Sequence, residues 1–112
     1  MSRILTTVAA ALALAACAAQ PAPVGEESLA DDGRAIAEAQ CAQCHAIGEY
    51  GESPMAGAPT FRTLLSRYRA DVLEEELIAG IQVAHPMPDF QFNPQGADAL
   101  IAYLRTIQQP EQ

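Results

Sequence analysis

Cys41-Ala42-Gln43-Cys44-His45 constrains this chain more than any other stretch of it. Two thiols and an adjacent imidazole lie within little more than one helical turn, so whatever they serve must meet all three together. Four chemistries use such a set. They are a redox dithiol, part of a zinc site, a structural disulfide, and covalent attachment of a haem. The surrounding sequence decides among them.

Nothing in residues 30–109 alternates as a strand would, and apolar residues recur at helical spacing instead. The expected class is all-α. Ser28 with Asp31 reads as the capped start of a first helix running to about Ala42, with Ala30, Gly33, Ile36, Ala37 and Cys41 facing inward. Glycine costs about 1 kcal/mol in a helix interior, so Gly33 implies close approach by another backbone. Gly48, Gly51, Pro54, Gly57 and Pro59 make residues 46–59 a loop. Phe61, Leu64, Leu65 and Tyr68 define a short helix. Asp71 and Glu74 have capping-box spacing for the next, whose apolar face is Leu73, Leu77, Ile78 and Ile81 and whose end is Gly80. Pro86 and Pro88 break residues 82–93 into a second loop. Asn93 as N-cap and Pro94 at the first position open a last helix, with Ala97, Leu100, Ile101, Leu104 and Ile107 as its buried stripe and Pro110 as its stop. Four helices and two long loops leave a thin core, which a large apolar object at the centre would complete.

The front of the chain is of a different kind. Arg3 is followed by an uncharged apolar stretch, Ile4 to Ala16, too short for a permanent membrane span and arranged as a secretion signal. Leu14-Ala15-Ala16-Cys17 resembles the lipobox of bacterial lipoproteins. That resemblance implies cleavage before Cys17 and lipidation of the new N-terminal cysteine, with each buried methylene contributing about 0.8 kcal/mol to anchoring. The alternative is an ordinary signal cut a few residues later, which leaves a soluble periplasmic protein. Residues 1–16 are thus expected to be signal, 17–28 a flexible tether rich in Pro, Gly and Glu, 29–109 the folded domain and 110–112 a tail.

In an exported chain, CxxCH reads as the attachment site of haem c. Cys41 and Cys44 would form thioethers with the two vinyl groups of the porphyrin, and His45 would fall under the iron. A thioredoxin-like strand-and-helix context is absent. A zinc site drawn from Cys41, Cys44, His45 and His85 would leave the helices without purpose. The iron then needs a sixth ligand, for which the candidates are Met87, His85 and Met55. Met87 is preferred, because Pro86 and Pro88 hold its backbone and a thioether suits an iron that changes charge with little movement.

With these features the sequence resembles the small single-haem class I cytochromes c over residues 29 to 108. Gly33 lies eight residues before Cys41, as that family's first-helix glycine does, and Leu100-Ile101-Ala102-Tyr103-Leu104 matches its last-helix signature. Gly57-Ala58-Pro59 is similar to the turn after the family's haem motif, and Met87-Pro88-Asp89-Phe90 to its ligand loop. The resemblance implies about four short helices around one covalent haem, axial ligation by His45 and Met87, and a crossing of Gly33 against Tyr103. It also implies a hydrogen bond from His45 to the Pro59 carbonyl, which would fix the ring. The chain departs from the family in having Ala37 where many members carry an aromatic residue, and in having no Trp to partner a haem propionate. Tyr50, Tyr68, Arg62 and Arg67 are the candidates for that partner, and the sequence does not choose among them.

The resemblance implies one-electron transfer rather than catalysis. Partners would be cell-envelope redox proteins such as a quinol-oxidising complex or a terminal oxidase, met at the periplasmic side of a membrane. The rival readings are a haem-based small-ligand sensor or peroxidase, and a non-catalytic haem subunit of a larger respiratory complex. Charge bears on the partner. Fourteen Asp and Glu against six Lys and Arg give a formal charge of -8, which excludes a nucleic-acid binder. Glu74, Glu75 and Glu76 replace the basic face of mitochondrial members, so a partner steered by charge should be basic.

Overall fold

The computed structural model describes residues 24–82 and 87–111. The signal segment, Cys17 and His85 lie outside the described residues. The elements in chain order are α1 (Val24–Gln40), a 3-10 turn (Phe61–Thr63), α2 (Leu64–Arg67), α3 (Ala70–Ala79) and α4 (Pro94–Ile107). Among the described residues all regular structure is helical, as the periodicity requires.

α1 begins earlier than expected. Residues 24–28, assigned above to the tether, are helical, and Ser28 is exposed within the helix rather than capping it. Glu26 and Glu27 stand in the first turn, where negative charge meets the positive end of the helix dipole. α3 also starts differently. Its N-cap is Arg69, with no side-chain cap bond, and the Asp71 carboxylate faces the Arg69 guanidinium (2.6 and 3.1 Å) instead of closing a capping box with Glu74. That hydrogen-bonded pairing holds the Asp71 carboxyl below its ordinary value. α3 ends at Gly80, whose φ of 96° suits glycine. Leu77 is buried and Leu73 half-buried, while Ile78 is turned outward, against the expected stripe.

α4 is the central element. Asn93 Oδ1 accepts from the Gly96 N–H (2.7 Å), and Pro94 stands at the first turn, where its missing N–H is not needed. Ala97, Leu100, Ile101, Leu104 and Ile107 are buried as expected, together with Ala99 and Tyr103. The helix ends at Ile107, before Pro110, because Gln108 leaves the helical region and its side chain takes over. Gln108 Nε2 donates to the carbonyls of Leu104 (2.9 Å) and Phe61 (2.8 Å), and its Oε1 accepts from the Leu65 N–H (2.9 Å). One side chain thus caps α4 and ties it to the segment that opens α2.

α1 and α4 are packed backbone to backbone. A Cβ added at Gly33 would lie 1.9 Å from the Ala99 carbonyl oxygen and 2.9 Å from Tyr103 Cβ. Only a glycine fits, because the obstacle is main chain and cannot rotate away. Gly25, in the same helix, has nothing within 4 Å of the corresponding position. Gly33→Ala is therefore expected to cost about 3 kcal/mol or more in urea unfolding. Gly25→Ala should raise stability by about 0.5–1 kcal/mol. Equal effects of the two substitutions would contradict the crossing.

Candidate haem site

α1 delivers the cysteines. At its C-terminus the chain continues in tight turns, with the N–H of Cys41 donating to Ala37 (2.9 Å) and those of Cys44 and His45 donating to Cys41 (3.1 and 3.0 Å). The loop that follows folds back on this turn. The Met55 N–H donates to the Cys44 carbonyl (3.2 Å), the Ala46 N–H to Ser53 Oγ (3.1 Å) and the Phe61 N–H to the Ala46 carbonyl (2.9 Å). The fold-back turns through Gly57, at a φ of 86°. It places the Pro59 carbonyl 2.7 Å from His45 Nδ1, which donates to it and leaves Nε2 free to ligate. The Phe61 ring lies 5.2 Å from the His45 ring, tilted by 47°. From the other side, the Tyr103 hydroxyl of α4 donates to the Ile47 carbonyl (2.8 Å), pinning the chain two residues beyond His45.

These elements surround a cavity of about 770 Å³. Cys41, Cys44, His45 and Met87 all line it. Phe61, Leu64, Leu73, Leu77, Ile81, Phe90, Phe92, Leu100 and Leu104 make most of its wall apolar, and Gln40, Gln43, Arg67, Tyr68, Glu76 and Gln82 supply its polar positions. The cavity therefore offers two thiols, an imidazole, a thioether and an apolar enclosure to one occupant. That donor set fits a haem. It fits the rivals poorly. Cys41 and Cys44 are not bridged to each other, and His85, which the zinc reading needs, lies outside the described residues. Burial pushes the Cys41 thiol up to about 11, the opposite of what a redox nucleophile needs.

The structure brings some of the expected site residues together and leaves others apart. Met55 lines the same cavity as Met87 but is more exposed. Of the four candidates for a propionate partner, Tyr68 and Arg67 line the cavity. Arg62 does not, because its guanidinium donates to the Gly51 carbonyl (2.7 Å). Tyr50 does not either, being 85% exposed on the outer loop. Sequence reasoning missed Phe61 as the neighbour of the His45 ring, the Tyr103–Ile47 bond and the Gln108 clasp. Only the Phe61 contact had a signal, since Phe61 follows Pro59 by two positions and must come near the ring that Pro59 holds.

An all-α fold in which the first and last helices cross at a glycine, around a cavity bearing CxxCH and a methionine, defines a class I c-type cytochrome. The comparisons with known proteins agree. Residues 28–104 match the family described as cytochrome c oxidase, cbb3-type, subunit III, and the chain belongs to that family of cytochrome c domains. It is also 35% identical over 78 residues to a cytochrome c-553-like protein of Synechocystis sp., covering 70% of this chain and 69% of that protein. No solved structure matches it. The cofactor of such a chain is a covalently bound haem c with its iron, and membership of the family points to haem-based electron transfer.

Phe61 offers a direct test of the wall beside His45. Phe61→Leu keeps the site apolar but removes the ring contact, and should lower the unfolding free energy of the haem-loaded protein by about 1 kcal/mol. A stability equal to that of the unsubstituted protein would show that the ring contact contributes nothing.

Proposed function

We propose that this protein is a one-electron carrier of the bacterial cell envelope, with haem c attached through Cys41 and Cys44 and its iron held by His45 and Met87. The observation that carries the reading is the convergence of all four side chains on one cavity, with His45 Nδ1 already bonded to the Pro59 carbonyl. The haem iron, when bound, supplies the one-electron change. The chain's own residues supply the rest. Cys41 and Cys44 fix the porphyrin edge, and the Pro59 carbonyl holds the His45 ring in one tautomer and orientation. The Met87 thioether favours the ferrous state, and the apolar wall keeps water from the iron.

The partners are redox proteins of the envelope, a quinol-oxidising complex or a terminal oxidase, presenting a basic surface to a chain of net charge -8. A second reading, a haem subunit fixed in a larger oxidase complex, is supported by the description of the matched family as subunit III of an oxidase. Stoichiometric copurification with a large membrane complex would favour it over a shuttle.

The ferric protein, matured by a haem-attachment system, should show the weak far-red charge-transfer band of a methionine–iron bond. Met87→Ala should abolish the band, and Met55→Ala should leave it. A low-spin haem without the band in the unsubstituted protein would make His85 the ligand. A high-spin haem that shifts on adding carbon monoxide would move the assignment to ligand binding or peroxide chemistry. Absence of covalent haem would overturn the proposal.

The location is proposed from the sequence of the leader. Among the described residues no helix is long and apolar enough to cross a membrane; the proposed attachment is the lipid on Cys17. The protein should fractionate with membranes, and Cys17→Ser should release it to the soluble periplasm with its haem spectrum unchanged. A soluble unsubstituted protein would replace lipidation by ordinary signal cleavage.

A further inference from the structure

The His45 ring is oriented by a carbonyl, and the segment that carries this carbonyl is itself held from the far end of the chain. On the reading proposed above, in which His45 ligates the iron, we infer that Gln108 positions the His45 imidazole and so sets part of the potential of the site. Gln108 does not line the cavity. It acts through Phe61 and Pro59.

Both neighbours of the imidazole lie on one short segment. Nδ1 donates to the Pro59 carbonyl (2.7 Å), and the Phe61 ring stands 5.2 Å from the His45 ring. Thr60 between them is extended, with φ of -76° and ψ of 140°. Proline fixes its own φ, so a shift of the Phe61 backbone reaches the Pro59 carbonyl with little slack between. The Phe61 peptide is fastened on both sides. Its N–H donates to the carbonyl of Ala46, the residue after His45 (2.9 Å). Its carbonyl accepts from the Leu64 N–H and from Gln108 Nε2 (2.8 Å). The Gln108 bond ties this peptide to α4. The half-buried amide has no freedom to turn over, because two carbonyls, of Phe61 and Leu104, demand its donors and the Leu65 N–H demands its acceptor. The next residue makes a useful contrast. Gln109 Nε2 donates to the Glu49 carbonyl (3.0 Å), so its side chain holds the loop outside the Pro59–Phe61 segment. The bond that Nδ1 donates sets how much electron density the imidazole gives to a metal. A firm bond favours the ferric state and a slack one the ferrous.

The test uses the haem-loaded protein and has two readings. One is the exchange of the His45 Nδ1 proton with deuterated solvent, followed by proton NMR of the ferrous form. The other is the ferric to ferrous ratio at a fixed applied potential. Gln108→Met keeps the length of the side chain and removes its donors and its acceptor. It should speed the exchange about tenfold, the factor that corresponds to losing one such hydrogen bond. It should also move the ratio severalfold toward ferrous. Gln109→Ala removes the neighbouring side-chain clasp and should lower the midpoint of urea unfolding while leaving both readings in place. A loss of stability alone weakens both oxidation states alike and does not move the ratio. Should Gln108→Met fail to load haem, the unsubstituted protein carries the test. Its Gln108 amide protons and its His45 Nδ1 proton should exchange through one opening, with the same dependence on urea. A Gln108 amide that opens far more readily than the ring overturns the inference. So do unchanged readings in Gln108→Met, or equal shifts from Gln109→Ala. In those cases a haem spectrum that keeps its far-red band leaves the carrier reading intact. An unsubstituted protein without covalent haem would end both.

Discussion

Everything in this fold that faces the haem cavity depends on the contact between the α1 and α4 backbones at Gly33. The missing side chain lets the Ala99 carbonyl come within 1.9 Å of where a Cβ would stand. The close crossing fixes where α1 ends, and with it the position of Cys41, which is buried one residue beyond the helix. The same stretch of α4 carries Tyr103, whose hydroxyl holds the chain at Ile47, and ends in Gln108, whose amide holds Phe61 and Leu65. The cysteine turn, the loop beyond His45 and the wall at Phe61 are thus referred to one helix. A displacement at the crossing would reach all three together.

The crossing is tight, yet the rest of the interior is sparse. Ile101 and Leu104 are the largest fully buried side chains, and both belong to α4. Leu64, Leu73 and Leu77 pack with the cluster around α4 and also line the cavity. A domain of this size buries a small share of its chain and is marginal without a staple. A covalently attached haem is both staple and core. Once the thioethers form, it cannot be lost when the fold opens. This explains why a chain with so little conventional core can support two long loops: Met55 to Pro59 in the first, and Met87, Pro88, Phe90 and Phe92 in the second, are wall of the haem cavity.

How much of this was legible depended on whether a residue acts through local geometry or through a distant partner. CxxCH, Gly33, the Asn93–Pro94 start and the Leu100 to Leu104 stripe could be read because each rests on short-range spacing. The start of α1 could not. Gly25 and the glutamates after it look like linker, although Glu26 and Glu27 also suit a helix N-terminus. Capping-box spacing at Asp71 and Glu74 misled for a similar reason, since Arg69 sits close enough to claim Asp71 first. Gln108 carried no signal at all. A glutamine that reaches a carbonyl 47 positions away looks like any surface glutamine until the chain is folded. The choice among Tyr50, Tyr68, Arg62 and Arg67 was likewise tertiary. Which of them line the cavity turned on Arg62 being drawn to Gly51 and Tyr50 lying on the outer loop.

The arrangement of charge follows from the same economy. The three ion pairs among the described residues, Arg34–Glu38, Arg67–Glu111 and Arg69–Asp71, are all solvent-exposed, where such pairs contribute at most about 1 kcal/mol each to stability. Two of them are local and change nothing beyond their own helix. Arg67–Glu111 differs in place rather than in strength. It joins the tail to the cavity wall, so its weak energy matters less than where it leaves a positive charge. In a chain with so large an excess of carboxylates, one arginine at the cavity is a strong local asymmetry.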